Sequence, residues 1–139
     1  MQADFLDAHF RHWDDAERLL QAQRWANADH LYGFAAECGL KRLMLAFGMP
    51  YDAAKDRPQN ERDRKHAYEV WAQFESYRSG AILGAGYVLA IAGNPFSQWS
   101  ASQRYAHHAH FDHARANGHR DGADAVRTLV LKAQREGLC

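Results

Sequence analysis

A cluster of histidines near residue 110 is the part of this sequence best suited to chemistry. The chain has nine histidines, and four of them fall within seven residues: His107, His108, His110 and His113. The imidazole ring gains or loses a proton near neutral pH, so it can transfer protons or, when neutral, bind a metal ion. The cluster therefore suits either acid–base catalysis or metal binding.

The metal-binding interpretation rests on the spacing of these histidines. His107, His110 and His113 recur every three residues, and Asp112 adds an oxygen ligand. Zinc, nickel or iron would accept such a set. All of them lie on one predicted helix, so a tetrahedral site would need further ligands, such as His66 or Glu37. We expect no cofactor and keep a histidine-based metal-binding bundle as an alternative.

A third interpretation is purely structural. In it, the histidines form a partly exposed polar face near a subunit boundary.

A second group of polar residues lies on the most apolar predicted helix, Trp25 to Phe47. His30, Glu37 and Lys41 form one polar line, and the four-residue spacing of Glu37 and Lys41 predicts an ion pair. We interpret this line as a solvated seam on a core helix. The alternative is that Glu37 orients a catalytic group on another helix.

The elements that must position these residues begin with two helices. Apolar residues recur every three and four positions from Asp4 to about Gln23, which predicts an amphipathic helix with Asp4 as its N-cap. The central helix follows at once, with Asn27 as its predicted N-cap and Gly48 as its left-handed C-terminal cap. The two helices should pack as an antiparallel hairpin.

The middle of the chain is less regular. Residues 51–65 are strongly polar and contain Pro58, which predicts a solvated loop, and a third helix should then run from about Asn60 to Ser79-Gly80. Arg62, Arg64 and Lys65 are interpreted either as a solvated helix end or as a basic patch that contacts phosphate. Ala81 to Gly93 is predicted to be a buried short helix, and Phe96 and Trp99 should anchor the loop that follows.

The last third should hold two helices. Ser100 and Gln103 have the spacing of a capping box, which predicts a helix from Ala101 through the histidines to about Ala116, ending at Gly118. A final amphipathic helix should follow Gly122. Residues 1–139 therefore read as one all-α domain, an up-and-down bundle of about five helices.

Composition excludes several classes of protein. Lysine plus arginine and aspartate plus glutamate number 17 each, so no net charge attracts nucleic acid or membrane to the whole chain. Two cysteines are too few for a disulfide framework, and this favours a reducing compartment. The N-terminus does not read as a signal peptide, and the longest apolar run, Ala81 to Ala92, is too short to cross a bilayer. We expect a soluble cytoplasmic protein.

Two stretches together resemble the HEPN family of small all-helical proteins. They are FAAECGLKRLM, from Phe34 to Met44, and WSASQRY, from Trp99 to Tyr105, which precedes the histidines. The resemblance implies a bundle of four or five helices, often a homodimer. It also implies a metal-independent endoribonuclease of a toxin-antitoxin or stress-response system, with RNA as substrate and a minimal nucleotidyltransferase as partner.

The family's active motif is an arginine followed four to six residues later by a histidine. Arg104 and His110, with five residues between them, match that spacing and are the predicted catalytic pair. Glu37, Tyr105 and His107 are predicted supporting residues. On a straight helix the pair would lie about 240° apart. A site therefore needs a local distortion or a second subunit across a two-fold axis.

One departure from the family pattern keeps a non-enzymatic function open. The family arginine is usually followed by a polar residue, whereas Tyr105 follows Arg104 here. The alternative is a non-catalytic, nucleotide-binding or nucleotidyltransferase-partner module on the same fold.

Overall fold

Four α-helices make up most of the chain in a computed structural model that describes residues 1–139. They are α1 (Phe5–Gln21), α2 (Trp25–Ala46), α3 (Ala67–Gly80) and α4 (His113–Arg135). Two very short antiparallel strands, β1 (Tyr51–Asp52) and β2 (Arg57–Pro58), follow α2. The all-α prediction is confirmed, but the expected count of about five helices is wrong.

The start of the chain folds nearly as its pattern predicts. The Asp4 carboxylate accepts the amides of Leu6 and Asp7, both at 3.0 Å, and so caps α1. Gly48 has a φ of +92°, the left-handed conformation expected beyond α2. The predicted N-cap Asn27 is wrong, because α2 already begins at Trp25. The tight turn after α1, in which the amide of Arg24 donates to Leu19, starts the next helix early.

Helix α2 is the centre of the fold, since it contacts α1, α3 and α4. Its buried face includes Tyr32, Leu40, Leu43 and Met44, none of which is exposed to solvent. The packing of α1 on α2 is antiparallel, as predicted: His9 contacts Ala35, and Glu17 contacts Tyr32.

Helices α3 and α4 both run in the same direction as α2, so the strict alternation of an up-and-down bundle is absent. Residue numbers rise together in the contacts that show this, Glu37–His66 and Phe47–Phe74 for α3, and Asp29–His119 and Gly39–Val126 for α4. The long connections before α3 and α4 make this possible, because each is long enough to return along the bundle.

Helix α3 begins at Ala67 and not near Asn60. The preceding residues form a 3₁₀ turn, Glu61–Arg64, around the fully buried Asp63. The Asp63 carboxylate accepts the hydroxyl of Tyr77 at 2.6 Å, which ties the turn to α3. The predicted solvated loop is therefore partly ordered by β1, β2 and this turn.

The segment after α3 is not the buried short helix that its composition predicts. Only a 3₁₀ turn forms, Ile82–Gly86, and Ile82 and Leu83 are exposed. Gly84 lies so close to the carbonyl of Arg78 that a Cβ would approach its oxygen to 1.8 Å, so the chain folds back on the end of α3. Phe96 and Trp99 are buried, as predicted.

The predicted helix through the histidines is also wrong. The Ser100–Gln103 capping box exists, but it opens only a 3₁₀ turn, Ala101–Tyr105, and a second turn covers His108–His110. Asp112 then caps α4 by accepting the amide of Arg115 at 2.8 Å. Because Asp112 caps a new helix here, the earlier turns do not continue into α4 as one helix.

Helix α4 runs straight through Gly118 and Gly122, the two glycines expected to interrupt it. A Cβ on Gly122 would meet Pro95 at 2.5 Å, so this glycine serves close packing of the helix against the loop. None of the four helices combines the length and the apolar character needed to cross a bilayer.

Candidate functional site

An open groove lies between the start of α3 and the segment that carries Arg104. It has a volume of about 430 Å³. Its lining residues are His66, Tyr68, Glu69, Trp99, Ser100, Ala101, Ser102 and Arg104. The groove thus combines a permanent cation, an imidazole, two serine hydroxyls, a tyrosine hydroxyl and one carboxylate at a solvent-accessible surface.

The side chain of Arg104 is free of acidic partners. It sits on the 3₁₀ turn Ala101–Tyr105, where its Nη1 donates to the carbonyl of Ala101 at 3.0 Å. The guanidinium also lies over the ring of Tyr105, 4.7 Å from its centroid, and Tyr105 is 79% exposed. Arg104 forms no ion pair with any carboxylate of the chain, so its charge remains available to an anionic ligand.

The polar line on α2 is largely buried and organises the opposite wall of the groove. Lys41 Nζ lies 2.6 Å from Glu37 Oε1, which confirms the predicted ion pair, but the two residues are buried, so their interpretation as a solvated seam is wrong. Glu37 Oε2 lies 3.1 Å from Nδ1 of His66. Glu37 therefore bridges a buried ammonium group and a histidine that lines the groove.

Trp99 forms the back of the groove and is fixed on three sides. Its indole ring stacks on His30 at 5.5 Å and meets the edge of Phe34 at 5.3 Å. Its Nε1 donates to the backbone carbonyl of Asp29 at 3.2 Å. It also covers Gly33 so closely that a Cβ there would lie 2.0 Å from the indole.

Two further histidines beside this wall are held neutral. Burial, followed by the positive charge of Arg104, lowers the pKa of His30, whose Nδ1 is buried without a hydrogen-bond partner. Burial, followed by the charge of Arg11, lowers the pKa of His12, whose ring lies 5.7 Å from that of Phe34. Both act at neutral pH as uncharged rings that pack against the aromatic wall.

A buried carboxylate that sequence reasoning missed anchors the Arg104 turn. Asp29 is fully buried on α2, and its Oδ2 accepts from Nε2 of Gln103 at 2.6 Å. Its Oδ1 lies 2.5 Å from Nδ1 of His119, and Arg115 Nε lies 3.4 Å from its Oδ2. The available signal was the single aspartate of a helix rich in apolar residues, since a carboxylate must find partners when it is buried.

The predicted catalytic pair lies on two separate turns. Arg104 belongs to the turn Ala101–Tyr105 and His110 to the turn His108–His110, with extended backbone at Ala106 and His107 between them. The helical offset of 240° therefore does not apply. His110 is exposed, and its imidazole forms no hydrogen bond with any residue of the chain, Arg104 and Glu37 included. The pair stays a prediction.

The other predicted supporting residues divide between the groove and its surroundings. Tyr105 packs against Arg104 at the groove's edge. His107 Nδ1 accepts the amide of Ala109 at 3.2 Å, so that nitrogen already has a partner within its own turn. His108 contributes instead to a second cavity of about 410 Å³ at the start of α2.

The three basic residues predicted to contact RNA have different environments. Arg64 donates to the carbonyls of Pro58 and Gln59, at 2.9 and 2.6 Å, and so closes the loop before α3. Arg62 is exposed beside Asp63, at 3.8 Å, and Lys65 is exposed immediately before His66. Lys65 and Arg62 are thus the two whose charges face solvent.

The histidine cluster does not assemble a metal site. No group of three or more histidine, cysteine or carboxylate side chains in this structure is placed to hold a metal ion. His107 and His108 pack against each other, 4.3 Å between ring centroids, and His113 packs on the edge of Trp25.

The groove geometry supports chemistry on an anionic ligand: a free guanidinium for charge, an imidazole bonded to a carboxylate for proton transfer, and hydroxyl groups for hydrogen bonding. Cys38 contributes nothing to it, because burial raises the pKa of its thiol to about 12. Comparison with known proteins adds no further assignment: no protein-family model, curated protein or solved structure matches this chain.

Proposed function

We propose that this protein is a HEPN-like endoribonuclease that cleaves RNA without a metal ion, with Arg104 as its phosphate-binding cation. The observation that carries the proposal is the unpaired guanidinium of Arg104 in a groove that also holds His66 and two serine hydroxyls. An arginine without an acidic partner keeps its donors for phosphate oxygens, which it can hold in a bidentate manner.

The chemistry requires three groups around one phosphodiester. A base takes the proton of the ribose 2′-hydroxyl while the 2′-oxygen forms a bond to phosphorus, and a cation stabilises the charge of the phosphorane. The bond between phosphorus and the 5′-oxygen then breaks, and the leaving oxygen receives a proton. The products are a 2′,3′-cyclic phosphate and a free 5′-hydroxyl.

Cleavage of mixed single-stranded and structured RNA in excess chelator tests this proposal. The parent protein should produce fragments that end in 2′,3′-cyclic phosphate, and Arg104→Gln should lose about 100-fold in rate, the usual effect of removing one charge-stabilising donor. Arg18→Gln is the matched control, because Arg18 is an exposed arginine paired only with its helical neighbour Asp15. Equal rates for the parent and Arg104→Gln would refute the assigned role.

Binding without cleavage is the second candidate function. Arg104 lies over the exposed ring of Tyr105, a combination that suits stacking with a nucleotide base. A parent that cleaves nothing, yet binds 2′-O-methyl RNA more tightly than Tyr105→Ala does, would favour this nucleotide-binding function over catalysis.

The resemblance supplies a cellular setting for either function. We infer a cytoplasmic homodimer in a toxin-antitoxin or stress-response system, with a minimal nucleotidyltransferase as its partner. Light scattering on the purified protein tests the dimer. A protein that stays monomeric at every concentration would refute the dimer and would mean that the groove of one chain acts alone.

A further inference from the structure

We propose that His66 is the catalytic residue that transfers protons in the groove, and that Glu37 is the positioning residue that orients it. This inference rests on the proposed ribonuclease function. It replaces His110, the histidine that the motif spacing predicts, with one that lies far from Arg104 in sequence but lines the same groove.

His66 stands out in a comparison of all nine histidines. Only His66 and His119 have a carboxylate partner, Glu37 and Asp29 respectively. His119 is 5% exposed and stacks on Phe96, so a substrate has no access to it. The side chain of His66 is 53% exposed. His66 is therefore the one histidine that is both held by a carboxylate and open to a ligand.

The contact with Glu37 fixes which nitrogen of His66 faces the groove. When Nδ1 donates its proton to Glu37 Oε2, 3.1 Å away, Nε2 carries the free lone pair. A base within the groove needs this tautomer. The carboxylate also stabilises the imidazolium that forms once Nε2 has taken a proton, which is the usual role of an orienting acid in such a pair.

Glu37 is itself held rigidly. Its other oxygen lies 2.6 Å from the ammonium group of Lys41, one turn further along α2, and both side chains are almost completely buried. Because both oxygens have partners, the carboxylate cannot rotate away from His66 without losing a contact. Lys41 supplies a positive charge that compensates the buried carboxylate.

The location of His66 leaves its ring free to act. It is the residue before α3, with extended backbone, and its side chain does not cap the helix. Its ring lies 6.5 Å from the ring of Trp99 in an edge-to-face arrangement, so the back of the groove is also its neighbour. His110 has neither an orienting carboxylate nor a neighbouring wall.

In the proposed step, His66 and water move the protons while Arg104 binds the phosphate. Nε2 of His66 takes the proton of the 2′-hydroxyl as the 2′-oxygen bonds to phosphorus, while Arg104 holds the phosphate oxygens. The bond from phosphorus to the 5′-oxygen breaks with its electron pair on oxygen, which takes a proton from water in the open groove. His66 then returns its proton to the resulting hydroxide.

Single-turnover cleavage in excess chelator between pH 5 and 9 tests the assignment. His66→Gln should lose about 100-fold or more, the usual contribution of a proton-transfer group, whereas His110→Ala should retain the parent rate. Added imidazole should restore part of the activity of His66→Ala. Glu37→Gln should lower the rate constant more than it weakens RNA binding.

Substitution of Glu37 leaves Lys41 buried without its partner, and the variant can lose activity by unfolding. The orienting role of Glu37 is therefore also tested on the parent protein, which keeps the pair. Long-range ¹H–¹⁵N spectra of the intact parent protein report the tautomer of each histidine, and the signals that vanish in His66→Gln identify His66. The expected neutral form carries its proton on Nδ1. A proton on Nε2 would overturn the orienting role of Glu37.

The outcomes separate the inference from the function on which it rests. Loss of cleavage in His110→Ala with full activity in His66→Gln would overturn the role of His66 and leave the ribonuclease proposal intact. A parent that cleaves no RNA in chelator would overturn both.

Discussion

Replacing Asp29 with asparagine should destabilise this protein more than any change at its surface. The side chain is fully buried, and both of its oxygens accept hydrogen bonds, from Gln103 at 2.6 Å and His119 at 2.5 Å. Gln103 Nε2 is a donor, because its Oε1 accepts the amide of Ser100 at 3.2 Å. An asparagine that keeps its oxygen towards Gln103 directs its amide donor at Nδ1 of His119, which accepts only after the ring proton moves to Nε2, and it removes the negative charge beside Arg115.

The magnitude follows from what is lost. Each charge-assisted hydrogen bond contributes about 1.5–3 kcal/mol, and breaking a buried ion pair by removing one partner costs about 3–5 kcal/mol. Arg115 adds less, because its side chain is 25% exposed and water replaces part of the lost interaction. We expect Asp29→Asn to lower the free energy of unfolding by about 3–5 kcal/mol, a large part of the usual 5–15 kcal/mol.

Urea unfolding at pH 7, followed by circular dichroism, measures this change. Asp15→Asn is the matched control, because Asp15 pairs only with exposed Arg18 on the same helix and should change stability by less than about 0.5 kcal/mol. A loss below about 1 kcal/mol for Asp29→Asn, with an unchanged urea dependence, would contradict the reasoning, because it would mean that the buried carboxylate has no net value to the fold.

Two further changes test the wall of the groove and the buried histidines. Gly33→Ala should push Trp99 out of its position, since a Cβ would lie 2.0 Å from the indole, and a red shift in tryptophan emission together with about 2 kcal/mol of lost stability would report it. Burial, then the charge of Arg127 and of His12, lowers the pKa of His9, although its bond to a backbone carbonyl opposes the shift. The folded state then binds fewer protons than the unfolded state below about pH 6.5, so stability should fall as the pH drops from 7 to 5. His9→Gln should show a shallower fall in thermal midpoint, and an unchanged slope would exclude His9 as its source.

The elements that could be predicted from the sequence are those in which local signals and packing agree. Helix α1 has a capping aspartate and one apolar face, and α2 ends at a glycine in the left-handed conformation. The Glu37–Lys41 pair followed from their spacing on one helix. Each of these features depends on residues within one or two turns of each other.

The elements that could not be predicted depend on distant contacts. The capping box at Ser100 is present, yet Gln103 is also drawn towards Asp29, 74 residues away, and the turn does not continue as a helix. Gly122 was expected in a break before the final helix, but it packs against Pro95 inside α4. The contact between Glu37 and His66 spans 29 residues, so no spacing rule for one helix could have found it.

Both walls of the groove are fixed to the same helix, and this explains how a loop-bound arginine can have a defined position. Asp29 holds the wall that carries Trp99 and Arg104, through Gln103 and the indole, while Glu37 holds the wall that carries His66. These two carboxylates lie eight residues apart on α2, about 12 Å along its axis. Because α2 is the buried core of the fold, it sets the separation of the walls as a rigid spacer would. A substitution at Asp29 should therefore impair the groove through Arg104, and one at Glu37 through His66, by independent routes.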